Sequence, residues 1–161
     1  MTSFRRTRSA ILEATKKLIA EHGLQVTSMI EIADTAEVSR ATLYNHFRSK
    51  ESVVRGLLES EVTRILAIAS SEGSAGGALA RISMEISSDP ALATMRAYDS
   101  ALLTQLLSAG ADPLWQQVHE VLMQILDSQE RVELALRWLI GQVFAPLTAE
   151  QSAQQVGVIT G

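Results

Sequence analysis

Arg40, Ala41, Thr42, Tyr44, Asn45, His46 and Lys50 crowd hydrogen-bond donors into eleven residues, with one small side chain among them. An arginine can grip guanine N7 and O6 with two hydrogen bonds, a small residue permits close approach, and a threonine offers a methyl group or a hydroxyl to thymine or to phosphate. Tyr44, Asn45 and His46 can each donate one hydrogen bond to phosphate oxygens. The chemistry is that of a nucleic-acid reader rather than of catalysis. No set of Ser, His and Asp, and no pair of carboxylates, can be brought to one site by helical spacing. The competing reading of these residues is a solvated helix end.

The surrounding sequence supplies the elements that would position them. Ser28 followed by Glu31 is a capping box, and Ile32, Ala33 and Ala36 give the helix it starts an inward face, so a short helix is predicted from about 28 to 36. Val38 is an apolar plug, and Ser39 is an N-cap for a second short helix through Arg40, Ala41, Thr42, Leu43 and Tyr44. Two short helices across a tight turn make a helix-turn-helix over about 28–47. In that motif the N-terminal residues of the second helix meet base edges, here Arg40, Ala41 and Thr42. Ser49 reads as the N-cap of a third helix, which puts Lys50 in a first turn where the helix dipole disfavours a cation by ~0.3–1 kcal/mol. A bound phosphate would reverse that sign, and free backbone N–H groups at the same terminus also suit an anion. Phe47 is expected in the core.

The run Thr27-Ser28 through Ile32-Ala33, Val38-Ser39, Leu43-Tyr44-Asn45-His46-Phe47 and Ser49-Lys50-Glu51 resembles the DNA-binding domain of the TetR family of bacterial transcriptional regulators, from residue 4 to about 64. The resemblance implies an all-α homodimer that binds a palindromic operator on double-stranded DNA, usually as a repressor released by a small ligand. It carries base and phosphate contacts onto Arg40, Ala41, Thr42, Tyr44, Asn45, His46 and Lys50, beside the cap Ser39. The start of the preceding helix, at Thr27 and Ser28, would touch backbone. Two positions depart from the family. Glu37 stands where many members have glycine, so it must take a left-handed conformation at a cost of ~1 kcal/mol or shift the turn. Ile30 stands where members often carry a polar or basic residue.

A net charge of −4 and a pI near 5.4 argue against a nucleic-acid partner for the chain taken whole. Divided at the motif, the sign reverses. Residues 1–64 carry ten Lys and Arg against eight Asp and Glu, whereas residues 65–161 carry four against ten. Phe4-Arg5-Arg6-Thr7-Arg8 reads either as an arm along the DNA backbone or as a solvated tail. The chain has no cysteine, and His22, His46 and His119 are its only histidines, so no metal or cofactor is expected. It shows no signal-peptide h-region and no 18-residue apolar span, which predicts a cytoplasmic protein with no membrane partner.

The predicted architecture is all-α: an N-terminal three-helix helix-turn-helix domain over 1–64, joined by a long helix to a C-terminal bundle over 65–161. The first helix should run from about 4 to 21 and stop at Gly23, and the helix from Lys50 should act as a lever. Ser70 to Gly77 reads as a flexible linker. Helices are expected at about 78–88, 90–109, 113–127 and 129–145. Asp89 and Asp112 would act as N-caps before Pro90 and Pro113, and Ser128 would cap the last helix. The last two carry apolar faces too broad for a small monomer, so Val118, Leu122, Ile125, Val132, Leu136, Leu139, Ile140 and Val143 are expected at a dimer interface, with Gly141 allowing close approach; the competing reading is ordinary intramolecular burial. Met84, Met95, Tyr98, Leu102, Leu106, Trp115 and His119 could line an apolar ligand pocket; the competing reading is ordinary core. The segment from Leu147 to Gly161 is weakly patterned and predicted to be loosely ordered. A dimeric repressor released by a small apolar effector is the leading functional expectation. A regulator without an effector and a small helical enzyme are its rivals.

Overall fold

The computed structural model of the chain describes residues 3–108 and 113–161; the expected cap Asp112 lies outside them. The described residues form ten helices and no strands: α1 (Ser3–His22), α2 (Met29–Thr35), α3 (Arg40–His46), α4 (Lys50–Ser70), α5 (Ala75–Ser87), α6 (Pro90–Tyr98), α7 (Ser100–Leu107), α8 (Pro113–Leu126), α9 (Gln129–Phe144) and α10 (Ala149–Thr160). Two compact units result. The first comprises the residues up to Ser60 together with Pro90–Leu102, and the second comprises Glu61–Asp89 with Leu103–Gly161.

In the first unit, Ile11, Leu12 and Leu18 of α1 meet Ile32 and Ala33 of α2, Leu43 of α3, Phe47, and Val53 of α4 in one apolar cluster. The helices are short where capping replaces length. Ser28 Oγ accepts the Glu31 amide while the Glu31 carboxylate accepts the Ser28 amide, and Ser39 Oγ accepts the Thr42 amide. Residues 90–102, expected in the C-terminal bundle, pack here because α6 lies along α1 through Ala91 and Met95, and Thr94 Oγ1 donates to Ala20 O at 2.7 Å. The single helix expected over 90–109 is broken at Asp99, whose carboxylate caps backbone amides of another loop.

In the second unit, Leu66, Leu79, Ile82, Leu122, Leu126, Val132, Leu139, Val156 and Ile159 share a core. Within it lies a polar chain. Ser152 Oγ donates to Ser83 Oγ, Ser83 Oγ donates to Gln142 Oε1, and Ser87 Oγ donates to the same oxygen while accepting the Leu147 amide. The loosely ordered segment expected after Leu147 is instead α10, started by a Thr148–Gln151 capping box. Ser152, Val156 and Ile159 fall at i, i+4 and i+7 and bury one face against α5 and α9. The serine in that stripe hides it from an apolar pattern. The expected linker shortens to residues 71–74, because Ser74 Oγ accepts the Gly77 amide and starts α5 three residues early.

Candidate nucleic-acid interface

α3 presents its donors through exposure of one face and burial of the other. Leu43 is buried, whereas Arg40, Ala41, Tyr44 and Asn45 are exposed. Arg40 and Ala41 occupy the first turn, where the backbone is fixed by Ser39 and the side chains remain free. Thr42 is half-buried, and its hydroxyl lies 2.8 Å from Ser39 Oγ, so a contact through it competes with the cap. Tyr44 is half exposed, an aromatic ring held open to solvent on a short helix.

The turn between α2 and α3 answers the Glu37 question. Glu37 takes φ 55°, the left-handed conformation, while its amide reaches Asp34 O and the Val38 amide reaches Ala33 O. The turn therefore keeps the geometry that glycine favours, at a backbone cost of ~1 kcal/mol. Ile30 is exposed on α2, next to Ser28, which is half-buried. Thr27, in contrast, is buried, and its hydroxyl donates to Gly23 O at 2.7 Å, so its side chain serves the loop. The Glu31 carboxyl is held below the usual carboxylate range, first by the Ser28 hydroxyl, then by the Ser28 amide and by the charges of His22 and Lys50.

Lys50 differs most from expectation. Its Nζ donates to Leu24 O at 3.0 Å, Gln25 O at 3.1 Å and Thr27 O at 2.9 Å. An ammonium has three donors, and all three are engaged. Three carbonyls thus offset the unfavourable placement of a cation at the start of α4, a role the sequence reading assigned to a phosphate.

His46 is half-buried, with its ring centroid 4.1 Å from that of Phe4. Its Nδ1 is buried and has no hydrogen-bond partner. An unpaired buried N–H costs more than an unpaired lone pair, which favours the Nε2–H tautomer, the form able to donate to a phosphate oxygen from the other ring edge. Phe4 opens α1 and stacks on that ring, so Phe4-Arg5-Arg6-Thr7-Arg8 is helical from Ser3 onward, with Arg5 and Arg6 exposed. Arg8 lies over the Phe47 ring at 5.2 Å. Gly56 makes that packing possible, since a Cβ there would stand 2.8 Å from Phe47 Cε1 and 3.0 Å from Arg8 Nη2. A glycine inside an apolar helical stripe was the available signal for this contact.

The residues expected at a dimer interface divide. Val118, Leu122, Val132, Leu139 and Val143 are buried within the second unit's own structure, where α8 and α9 pack together and α5 and α10 cover α9. Their assignment to an interface is corrected accordingly. Ile125, Leu136 and Ile140 are half-buried, Leu134 and Phe144 are exposed, and a Cβ on Gly141 would meet only open space. Of the expected pocket residues, Met95 is buried beside α1, Trp115 packs against the second unit's core, Leu102, Leu106 and His119 are half-buried, and Met84 and Tyr98 are exposed. Among the described residues no His, Asp and Glu group could hold a metal, and no helix is long and apolar enough to cross a membrane.

Residues 11–57 match the family model described as bacterial regulatory proteins, tetR family. The HTH-type transcriptional regulator UidR of Escherichia coli strain K12 is 36% identical over 61 residues, which are 38% of this chain and 31% of UidR. The match thus spans about a third of that relative's length. Among solved structures, the TetR family repressor AlkX from Dietzia sp. strain DQ12-45-1b superposes with a TM-score of 0.67 at 18% identity, over 95% of this chain and 92% of AlkX. AibR, solved in complex with isovaleryl coenzyme A and operator DNA, superposes with a TM-score of 0.56 at 19% identity, over 94% of this chain and 97% of AibR. At these identities the whole-chain likeness is one of fold.

Proposed function

From the match of residues 11–57 to the tetR family model we propose that the chain is a TetR-family regulator, a homodimeric transcriptional repressor that binds a palindromic operator and is released by a small apolar effector. The observation that carries the reading is α3 itself: a capped, seven-residue helix with Leu43 buried and Arg40, Ala41, Tyr44 and Asn45 exposed in a row. Arg40 and Ala41 read bases, with Thr42 contributing its methyl group. Tyr44, Asn45 and His46 donate to phosphates, and Ser28 and Ser39 touch backbone at the helix starts. Dimerisation uses the part of α9 left open, Leu134, Ile140 and Phe144 around Gly141, with Ile125 and Leu136 beside it. Such a face suits a two-fold contact.

The effector half of the reading takes its support from AibR, which carries an acyl thioester of coenzyme A together with operator DNA. A regulator without an effector is the second reading. It is favoured by the second unit's polar chain, in which Ser83, Ser87, Gln142 and Ser152 bond one another rather than standing open to a ligand. Selection of duplexes from a random pool by the full chain tests the DNA assignment. The expected result is a two-fold symmetric sequence with half-sites about 10 base pairs apart or a multiple of that spacing. Recovery of unenriched DNA would overturn it. Release of the selected complex by an acyl-CoA thioester or by a small apolar molecule would favour the effector-controlled reading, and a complex that none of them releases would favour the other.

A further inference from the structure

The loop between α1 and α2 is held from two sides by opposite charges. On one side Asp99, at the junction of α6 and α7, accepts the Leu24 amide at 2.6 Å through Oδ2 and the Gln25 amide at 3.2 Å through Oδ1. On the other, Lys50 Nζ takes the carbonyls of Leu24, Gln25 and Thr27. Each charged group meets the matching pole of the same few peptide units. Asp99 is 5% exposed, so its carboxylate works in a shielded setting where charge-assisted hydrogen bonds are strong. The fit is close. Gly23 has φ +94°, and a Cβ there would lie 2.7 Å from Asp99 Oδ2. Thr27 Oγ1 closes the loop on Gly23 O, and the next residue, Ser28, is the N-cap of α2.

We propose that Asp99 and Lys50 form a clamp that fixes the 23–28 loop and thereby sets the start of α2, making both of them positioning residues for DNA binding rather than DNA contacts. This deepens the functional reading above and rests on it. It follows that a residue 75 positions along the chain from Leu24, outside the segment 11–57 that matches the family, controls how well the helix-turn-helix is presented. It follows also that Lys50 adds nothing to counterion release. Each phosphate neutralised contributes about −0.9 to the slope of log K against log salt, so a phosphate-binding lysine and a clamp lysine are separable by measurement.

The test compares wild type, Asp99→Asn, Lys50→Met and the double variant as full chains. Asparagine keeps the shape of Asp99 but replaces one acceptor with a donor facing an N–H. Amide hydrogen exchange over residues 24–31 should accelerate at least tenfold in each single variant while α8 and α9 stay as in wild type. Affinity for the selected operator should fall about tenfold in each, the size expected for losing one charge-assisted contact. The salt slope should equal that of wild type, and the double variant should bind little worse than either single one, because a clamp opened from one side no longer holds from the other. Unchanged loop exchange would overturn the clamp, and so would a Lys50→Met slope shallower by about 1.8, the signature of one lost phosphate contact in each protomer of the dimer. Should Asp99→Asn fail to fold, Lys50→Met opens the same loop independently. Faster loop exchange in a chain whose wild type binds no duplex would uphold the clamp and overturn the DNA reading instead.

Discussion

The two units place their polar chemistry in opposite settings. In the first, side chains that hydrogen-bond are applied to backbone: Ser28, Ser39, Asp99 and Lys50 each satisfy amides or carbonyls at a helix start or a loop. In the second, Ser83, Ser87, Gln142 and Ser152 satisfy one another inside an apolar core. The difference teaches what each unit is built to keep. Short helices stabilise themselves poorly, and fixing their ends by caps leaves one whole face of α3 free for a partner. The second unit caps helices as well, through Ser74, Ser128 and Thr148, but it adds long apolar stripes and a polar chain whose members bond one another inside the core.

The largest expected contrast is between Leu43→Ala and Leu122→Ala, two fully buried leucines in different units. Each should lower unfolding free energy by ~2–5 kcal/mol in urea titration. Leu43→Ala should also remove DNA binding at temperatures where the second unit remains folded; equal effects of both on DNA binding would erase the distinction between the units. Gln142→Leu comes next. It strips the shared acceptor from Ser83 and Ser87 and should cost ~1–3 kcal/mol, measured by thermal unfolding. An unchanged midpoint would mean the polar chain contributes no specificity to the bundle.

Glu37→Gly probes the first unit in the other direction. It relieves the left-handed strain at φ 55° and should stabilise by up to ~1 kcal/mol, less what glycine adds to the freedom of the unfolded chain. A loss of stability would show that the added freedom of the unfolded chain, or a contact of the Glu37 side chain, outweighs the relieved strain. The smallest effect is that of pH on the α2 cap. The Glu31 carboxyl is depressed in the folded chain, so its contribution is present above the unfolded value and is lost as pH falls through the folded one. Wild type should therefore lose more stability on acidification than Glu31→Ala, seen as converging unfolding midpoints. Parallel curves would contradict the cap's ionic character.

Most of the first unit was legible because its signals are local. Ser28 with Glu31, Ser39 and Gly23 each act within four residues, and all three do in the structure what their spacing predicts. Glu37 could be reduced to two alternatives by the steric cost of its turn, and the left-handed one is present. What was not legible depends on distance along the chain. No local pattern ties Asp99 to Leu24, and without that bond the break between α6 and α7 has no visible cause. Lys50 was correctly placed in a first turn, but its partners are carbonyls supplied by tertiary structure rather than by a ligand. α10 escaped for a different reason, since Ser152 interrupts an apolar stripe whose other members are Val156 and Ile159. The breadth of the apolar faces on α8 and α9 cannot by itself tell burial within a unit from burial between copies, because the helix that covers part of α9 carries its own stripe behind a serine.

The central claim is that the exposed face of α3 reads base sequence, and Arg40 tests it most directly. For wild type and Arg40→Ala, binding to the selected operator is measured against a scrambled duplex of the same length at one fixed salt concentration. The account predicts that Arg40→Ala lowers the ratio of the two affinities by ~1–3 kcal/mol for each half-site, about 5- to 150-fold apiece, with the loss concentrated at one base pair of each half-site. A variant that discriminates the two duplexes as well as wild type would contradict it.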